Sequence, residues 1–403
     1  MHISLLLLIS VIMGLLLPTY AQAQQTTPEI HHLTVEYVFG ESVTFRAQLV
    51  PAVNTQEAYL LFLVQGEPTT HLIPVQPTAD GFLEYRHSPH TAPLRPFAKI
   101  EYWFQVKYND KLFSSERASF RYIDNRYPWQ TLSDQRLSLH WYAGEMEFGQ
   151  AAFDIARQGL AKAETYLGIS LNSPMDIYIY ASVADLQDAL QLENISWVGG
   201  HSSPDLGVIL VSIEPGPSEK TEMERQIPHE IAHILLYQMT GPNYTRLPTW
   251  LVEGIASQFE TTINQDYIQV LTYAKHMRSL LPINGLCGPF PPDVSGALLA
   301  YAESESFVRY LQTSYGTSGL QRLIYAYADG LGCEQGARHA LGLSLSQLDL
   351  HWQQAVLGEK IAPVALQNLS PYFVLLLILL TIPLLPLLFK PTVKRNLDER
   401  SLR

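Results

Sequence analysis

The chain has 403 residues, of which 47% are hydrophobic, and a formal net charge of −12. That length allows two modest domains with cores of their own. An acidic balance, with nothing basic spread over the body of the chain, argues against nucleic acid as a partner.

The first element is an apolar run from Ile3 to Leu17, followed by Pro18 and the small-residue stretch Ala21-Gln22-Ala23. This reads as a cleaved export signal over residues 1–23. The run carries no Lys or Arg before it, so an uncleaved N-terminal anchor stays open beside that reading.

From 28 to 124 the pattern has period two, with short runs rich in Val, Tyr, Phe and Leu separated by Pro, Gly, Asn and Asp. Candidate strands are LTVEYVF, SVTFRAQLV, AYLLFLVQ, HLIPVQ, FLEYRH, AKIEYWFQVKY and ASFRYI. So many short strands in so short a stretch predict an all-β sandwich of immunoglobulin or fibronectin type III kind. In KIEYWFQVKYNDKLFSS, Ile100, Tyr102, Phe104 and Val106 alternate with Glu101, Trp103, Gln105 and Lys107, and Asn109-Asp110 supplies the turn. That segment resembles the penultimate strand and final hairpin of a fibronectin type III domain. Trp103 reads as a half-buried surface residue, with a binding aromatic as the other choice.

DNRYPWQTLSDQ reads as a hinge. Beyond it, over 135–357, an α+β domain is expected: a helix in FGQAAFDIARQGLAKAETYLG, a strand in MDIYIYAS, a helix in VADLQDALQL, a strand in GVILVSIE, then helices. Residues 358–370 form a linker. The 18 uncharged residues from Tyr372 to Phe389, followed by Lys390, Lys394, Arg395, Arg400 and Arg403, predict one transmembrane helix over 371–389 with a cytoplasmic basic tail at 390–403. The body would then sit outside the cytoplasm, at the cell membrane on a single pass. Cys287 and Cys333, the two cysteines, both fall on the exported side, where a disulfide is plausible; two free buried thiols are the alternative.

The chemistry concentrates in IPHEIAHILLYQ. Thr221-Glu-Met-Glu224 has the form of a capping box, and Ile227, Ile231, Ile234 and Leu235 follow helical spacing until Gly241-Pro242. His229 and His233 lie four apart, about one turn, so both imidazoles leave one face and can share an ion, with Glu230 beside them to handle a proton. Pro228 implies a kink or a later start. With 13 histidines in the chain the motif alone is suggestive, and two polar histidines on a buried helix would match it too. LPTWLVEGIASQFE adds Glu253, twenty residues after His233 on a new helix. A zinc hydrolase needs three protein ligands and an open position, and His-His-Glu is one such set. A carboxylate among Trp250, Leu251, Val252, Ile255 and Ala256 is costly to bury unpaired.

His229-Glu230-Ile-Ala-His233 with Leu247-Pro-Thr-Trp-Leu-Val-Glu253-Gly-Ile-Ala256 resembles the gluzincin metallopeptidases, and most closely the peptidase MA-like domains of bacterial exported proteins. Ala300-Tyr301-Ala302 through Leu311, Tyr315-Gly316, and Ala340 through Trp352 are similar to the helical tail of those domains, so the resemblance runs over about 222–356. It implies one Zn2+ per chain held by His229, His233 and Glu253, with Glu230 as general base and a peptide or protein as substrate. It also implies that Tyr301 hydrogen-bonds the developing oxyanion, although a core tyrosine fits the same pattern. Glu260, seven after Glu253, is a candidate to support a ligand. Gly199-Gly200-His201 precedes Leu206 to Val211, the candidate edge strand for substrate backbone, and His201 itself is not needed as a ligand. The expectation is a membrane-anchored, extracytoplasmic zinc metallopeptidase. The alternatives are a catalytically silent zincin-fold binding or adhesion module, or a scaffold with purely structural zinc.

Overall fold

The computed structural model describes residues 27–190, 200–261 and 264–358, together with 369, 371–372 and 374–380. Two compact units divide it, the first from the described residues of 1–130, 140–142 and 180–198, the second from the rest. The export signal at 1–23 and the basic tail at 390–403 lie outside the described residues, as does most of the linker.

The first unit is built on an antiparallel β-sandwich. One sheet has the order β1 (Glu29–Val38), β2 (Ser42–Val50), β5 (Phe82–His87). The other has the order β4 (His71–Pro74), β3 (Glu57–Val64), β6 (Lys99–Tyr108), β7 (Lys111–Ser114), with β8 (Ala118–Arg121) also on β6. Alternation sends every second side chain inward: Val43, Phe45, Ala47 and Leu49 from β2, Leu60, Phe62 and Val64 from β3, and Ile100, Tyr102, Phe104 and Val106 from β6 are all buried. Phe45 and Phe62 stack between the sheets, ring centres 5.6 Å apart. Asn109 and Asp110 both take positive φ, which lets β6 and β7 join by a tight turn. Trp103 is no open binding aromatic, because the Arg117 guanidinium lies 4.2 Å over its ring and leaves it 9% exposed.

A third sheet has the order β12 (Gly200–Ser203), β13 (Val208–Ser212), β11 (Met175–Tyr180), β10 (Leu137–Trp141), β9 (Gln130–Ser133). β9 falls inside the stretch read as a hinge, whose polar composition hides an edge strand. The α+β character and the sandwich both fit the sequence reading. Helices follow: α1 (Met146–Leu167), α2 (Val183–Leu190), α3 (Glu219–Thr240), α4 (Thr249–Ala256), α5 (Gln265–Met277), α6 (Val294–Ala328), α7 (Cys333–Leu341) and α8 (Leu345–Ala355). Gly316, at φ 67° and ψ −178°, breaks α6 into two pieces.

One expectation is overturned. Among the described residues no helix is long and apolar enough to cross a membrane. A span needs about 20 residues, whereas the helical residues described within the expected 371–389 segment are 371–372 and 374–380, and 381–389 lie outside the described residues. The single-pass anchor, and membrane association through it, is therefore withdrawn.

Behind the helices Glu303 of α6 is wholly buried. One of its oxygens accepts from the Leu281 N–H at 2.9 Å and the other has no partner among the described residues. Burial first, then the neighbouring Asp349 carboxyl, push its pKa up to about 8. A folded value above the ordinary one means the group's stabilising share is complete below the unfolded pKa and is lost as pH rises through about 8. Denaturant unfolding at acid and at mildly alkaline pH should therefore find a loss of a few kcal/mol toward alkaline pH that Glu303→Gln largely removes. Parallel profiles for the two proteins would contradict this.

Candidate metal centre

α3 carries HEIAH. It starts at Glu219, two residues before the expected capping box, with Ser218 at its N-cap making no side-chain bond; Glu219 instead accepts from the Gly216 N–H at 2.8 Å. Pro228 stays inside the helix, where α1 makes room for its ring: a methyl group at Gly159 would lie 3.0 Å from Pro228 Cβ. Met223, Ile227, Ile231 and Leu235 bury the inner face and leave His229 and His233 on another. Their rings meet edge to face, centres 5.1 Å apart.

Gly241, at φ 57°, ends α3, and a 3-10 turn over Gly241–Arg246 brings the chain to α4. Trp250, Leu251, Val252, Gly254, Ile255 and Ala256 of this helix are buried. It crosses α6 so closely that a methyl group at Gly254 would lie 2.4 Å from the Ser304 carbonyl oxygen. The remaining face presents Glu253, whose Oε2 is 3.4 Å from His229 Nε2 and 3.9 Å from His233 Nε2. One ligand atom from each of His229, His233 and Glu253 lies within 4.8 Å of the others.

The outer nitrogens are occupied. His229 Nδ1 is 3.2 Å from Glu260 Oε1, and His233 Nδ1 is 2.9 Å from the Tyr244 hydroxyl. With Nδ1–H donating to those oxygens, Nε2 is the nitrogen each ring turns toward the Glu253 carboxylate. Two imidazoles and one carboxylate, each held by an outer partner, match the donor set of zinc sites that leave a position open. The electrostatics agree. Burial alone would lower the His229 pKa, but Glu253 and Glu260, helped by Glu230, raise it to about 10. Burial would raise Glu253, yet the two imidazoles and the Tyr301 hydrogen bond hold it below the usual carboxylate range. A field that draws a proton this strongly draws a cation equally.

Glu230 is 8% exposed and lies against the edge strand β12. A methyl group at Gly200 would come within 2.6 Å of Glu230 Oε1, so a larger residue there would push the carboxylate aside. The edge strand is Gly200–Ser203, not the apolar Leu206 to Val211 run, which supplies the buried second strand β13. His201 sits exposed on β12, outside the ligand group. The Tyr301 phenol of α6 neighbours the Glu253 carboxylate. Burial, then Glu253 and the phenol of Tyr267, push its pKa well up, and Tyr267 is raised for the same chief reason. Cys287 and Cys333 form a disulfide, with Cα atoms 6.3 Å apart.

Sequence reasoning missed Tyr244, one of 22 tyrosines, on a turn read only as a helix break. Removing its hydroxyl as Tyr244→Phe frees the His233 tautomer. Zinc affinity measured by chelator competition should fall about 10–100-fold; an unchanged affinity would leave the hydroxyl no part in the site.

Among solved structures, the chain is similar to an aminopeptidase N family protein from Idiomarina loihiensis, at 10% identity and TM-score 0.34 over 84% of this chain and 75% of that one. A bromine derivative of BhCBM56 matches at 14% identity and TM-score 0.19, over 24% of this chain and 95% of that one. Overlaps this slight say nothing further about the chain. No curated protein matches it. The family profile of the Peptidase MA superfamily matches residues 155–358, half of the sequence, and the chain belongs to that superfamily.

Proposed function

We propose that the chain is an exported zinc metallopeptidase. The observation that carries this reading is the convergence of His229, His233 and Glu253 within 4.8 Å, next to a buried Glu230. Zinc, when bound, supplies a Lewis acid for the scissile carbonyl and the attacking water. Every other role falls to the chain itself. Glu260 and Tyr244 hold the two imidazoles in one tautomer and orientation. Glu230, following His229 on the helix, takes a proton from the attacking water and passes it to the nitrogen of the leaving amine. Tyr301 keeps its proton because burial and Glu253 oppose ionisation, so its O–H is available to the carbonyl oxygen as charge develops there. β12, at the edge of its sheet, offers backbone groups to an extended peptide beside Glu230.

The Cys287–Cys333 disulfide supports an oxidising, extracytoplasmic location. Incubating a mixed peptide library with the protein, then with the same protein stripped of metal and reloaded with zinc, tests the reading. Cleavage that disappears on stripping and returns with zinc is expected. Zinc uptake with no cleaved peptide would favour a silent binding module instead.

A further inference from the structure

Residues 281–291, between α5 and α6, tie the disulfide to the metal centre. On one side this segment is fastened to the helical body. The Leu281 N–H donates to Glu303 Oε1 at 2.9 Å, the Ile283 N–H donates to Asp349 Oδ2 at 3.2 Å, and Cys287 is bridged to Cys333, the first residue of α7. On the other side it reaches Glu253 by two separate routes. The Cys287 carbonyl accepts from the Thr249 N–H at 3.2 Å. Thr249 opens α4, a helix of 8 residues with Pro248 at its N-cap and no side-chain cap, so the carbonyl satisfies a donor that the helix start otherwise leaves open. Glu253 follows one turn later. By the second route, the Phe290 ring packs edge-on against Tyr301, centres 5.1 Å apart and planes at 88°, and the Tyr301 phenol neighbours the Glu253 carboxylate.

We propose that the Cys287–Cys333 disulfide is a positioning element for Glu253 and Tyr301, so that reducing it loosens the third ligand and the phenol while leaving the two histidines in place. The part that concerns zinc rests on the proposed function. Both cysteines are half-buried, within reach of a small dithiol. In the reduction the dithiol gives up two electrons and two protons, the S–S bond breaks into two cysteine thiols, and the dithiol closes to its own disulfide. α3 has no share in this linkage, since its hold on the fold comes from Met223, Ile227, Ile231 and Leu235.

Amide hydrogen exchange on the full chain, metal-free and with chelator present, tests the coupling without reference to zinc. On adding dithiothreitol, with both thiols confirmed by mass, exchange in the first turn of α4 and around Tyr301 should rise about 10-fold or more, while 229–236 of α3 changes little. No change in α4 would overturn the proposal, and so would an equal rise in α3, since the bridge would then be a general staple. Phe290→Ala, with the bridge intact, should loosen the Tyr301 segment and spare the first turn of α4. If it loosens neither, the second route is void. Zinc affinity is read in Cys287→Ser/Cys333→Ser, which avoids thiol reagents that bind metal, and should be about 10-fold weaker than wild type. Equal zinc affinity in the two folded proteins would overturn the claim on the ligand. A wild-type chain that takes up no zinc would sink the metallopeptidase reading, and the exchange result would still decide the coupling.

Discussion

Glu230→Gln should keep its zinc and lose about 10²–10⁴-fold in peptide turnover. The substitution keeps the volume and one acceptor oxygen of a side chain that is 8% exposed and fitted against Gly200, so neither α3 nor β12 has cause to move. What it removes is the ability to take a proton. The ligand set, which does not include Glu230, is untouched. The loss should therefore appear in kcat far more than in KM. Metal content by atomic spectroscopy and single-peptide kinetics on the same preparation check both halves. A variant that turns over at the wild-type rate would assign the base elsewhere, and one that loses its zinc would mean the substitution disturbs the ligands.

Glu253→Ala should abolish zinc binding at working concentrations. It removes one of three donors, and it also leaves His229 Nε2 without the carboxylate oxygen 3.4 Å away. The affinity lost should exceed the 10–100-fold that outer partners cost. Ligand binding stabilises the folded state by mass action, so added zinc should raise the melting temperature of the wild-type chain and not that of the variant. Equal thermal shifts would place the metal away from Glu253.

The parts of the site legible in the sequence were those fixed by local geometry. His229 and His233 share a face because four residues make about one helical turn, and the helix around them carries the apolar spacing that identifies it. Glu253 was readable because a lone carboxylate in an otherwise buried helix demands a partner. Glu260 was placed by continuing that helix, but it reaches His229 differently: α4 ends at Ala256 and a 3-10 turn, Ser257–Phe259, carries the chain to it. Tyr244, Gly200 and Phe290 owe their places to tertiary contacts. Tyr244 lies on a turn, Gly200 on a four-residue strand, GHSS, with no β-type alternation, and Phe290 in a proline-rich segment. No periodicity marks such positions. The sandwich is legible because β2 alternates apolar and polar residues and β3 and β6 are runs rich in Leu, Val, Tyr and Phe bounded by turn residues, whereas β9 and β10 are short and lie in or just after polar residues that look like a hinge. The membrane helix rests on an uncharged apolar run and the basic residues after it, and among the described residues no helix is long and apolar enough to cross a membrane.

The most direct test of the metal centre is zinc per chain in the full-length protein, measured beside His229→Ala and followed through metal stripping and reloading with peptide cleavage as the readout. One zinc per wild-type chain, none in the variant, and cleavage that tracks the metal are expected. A wild-type chain that takes up no zinc, or cleavage that persists without it, would contradict the metal centre and the peptidase mechanism built on it.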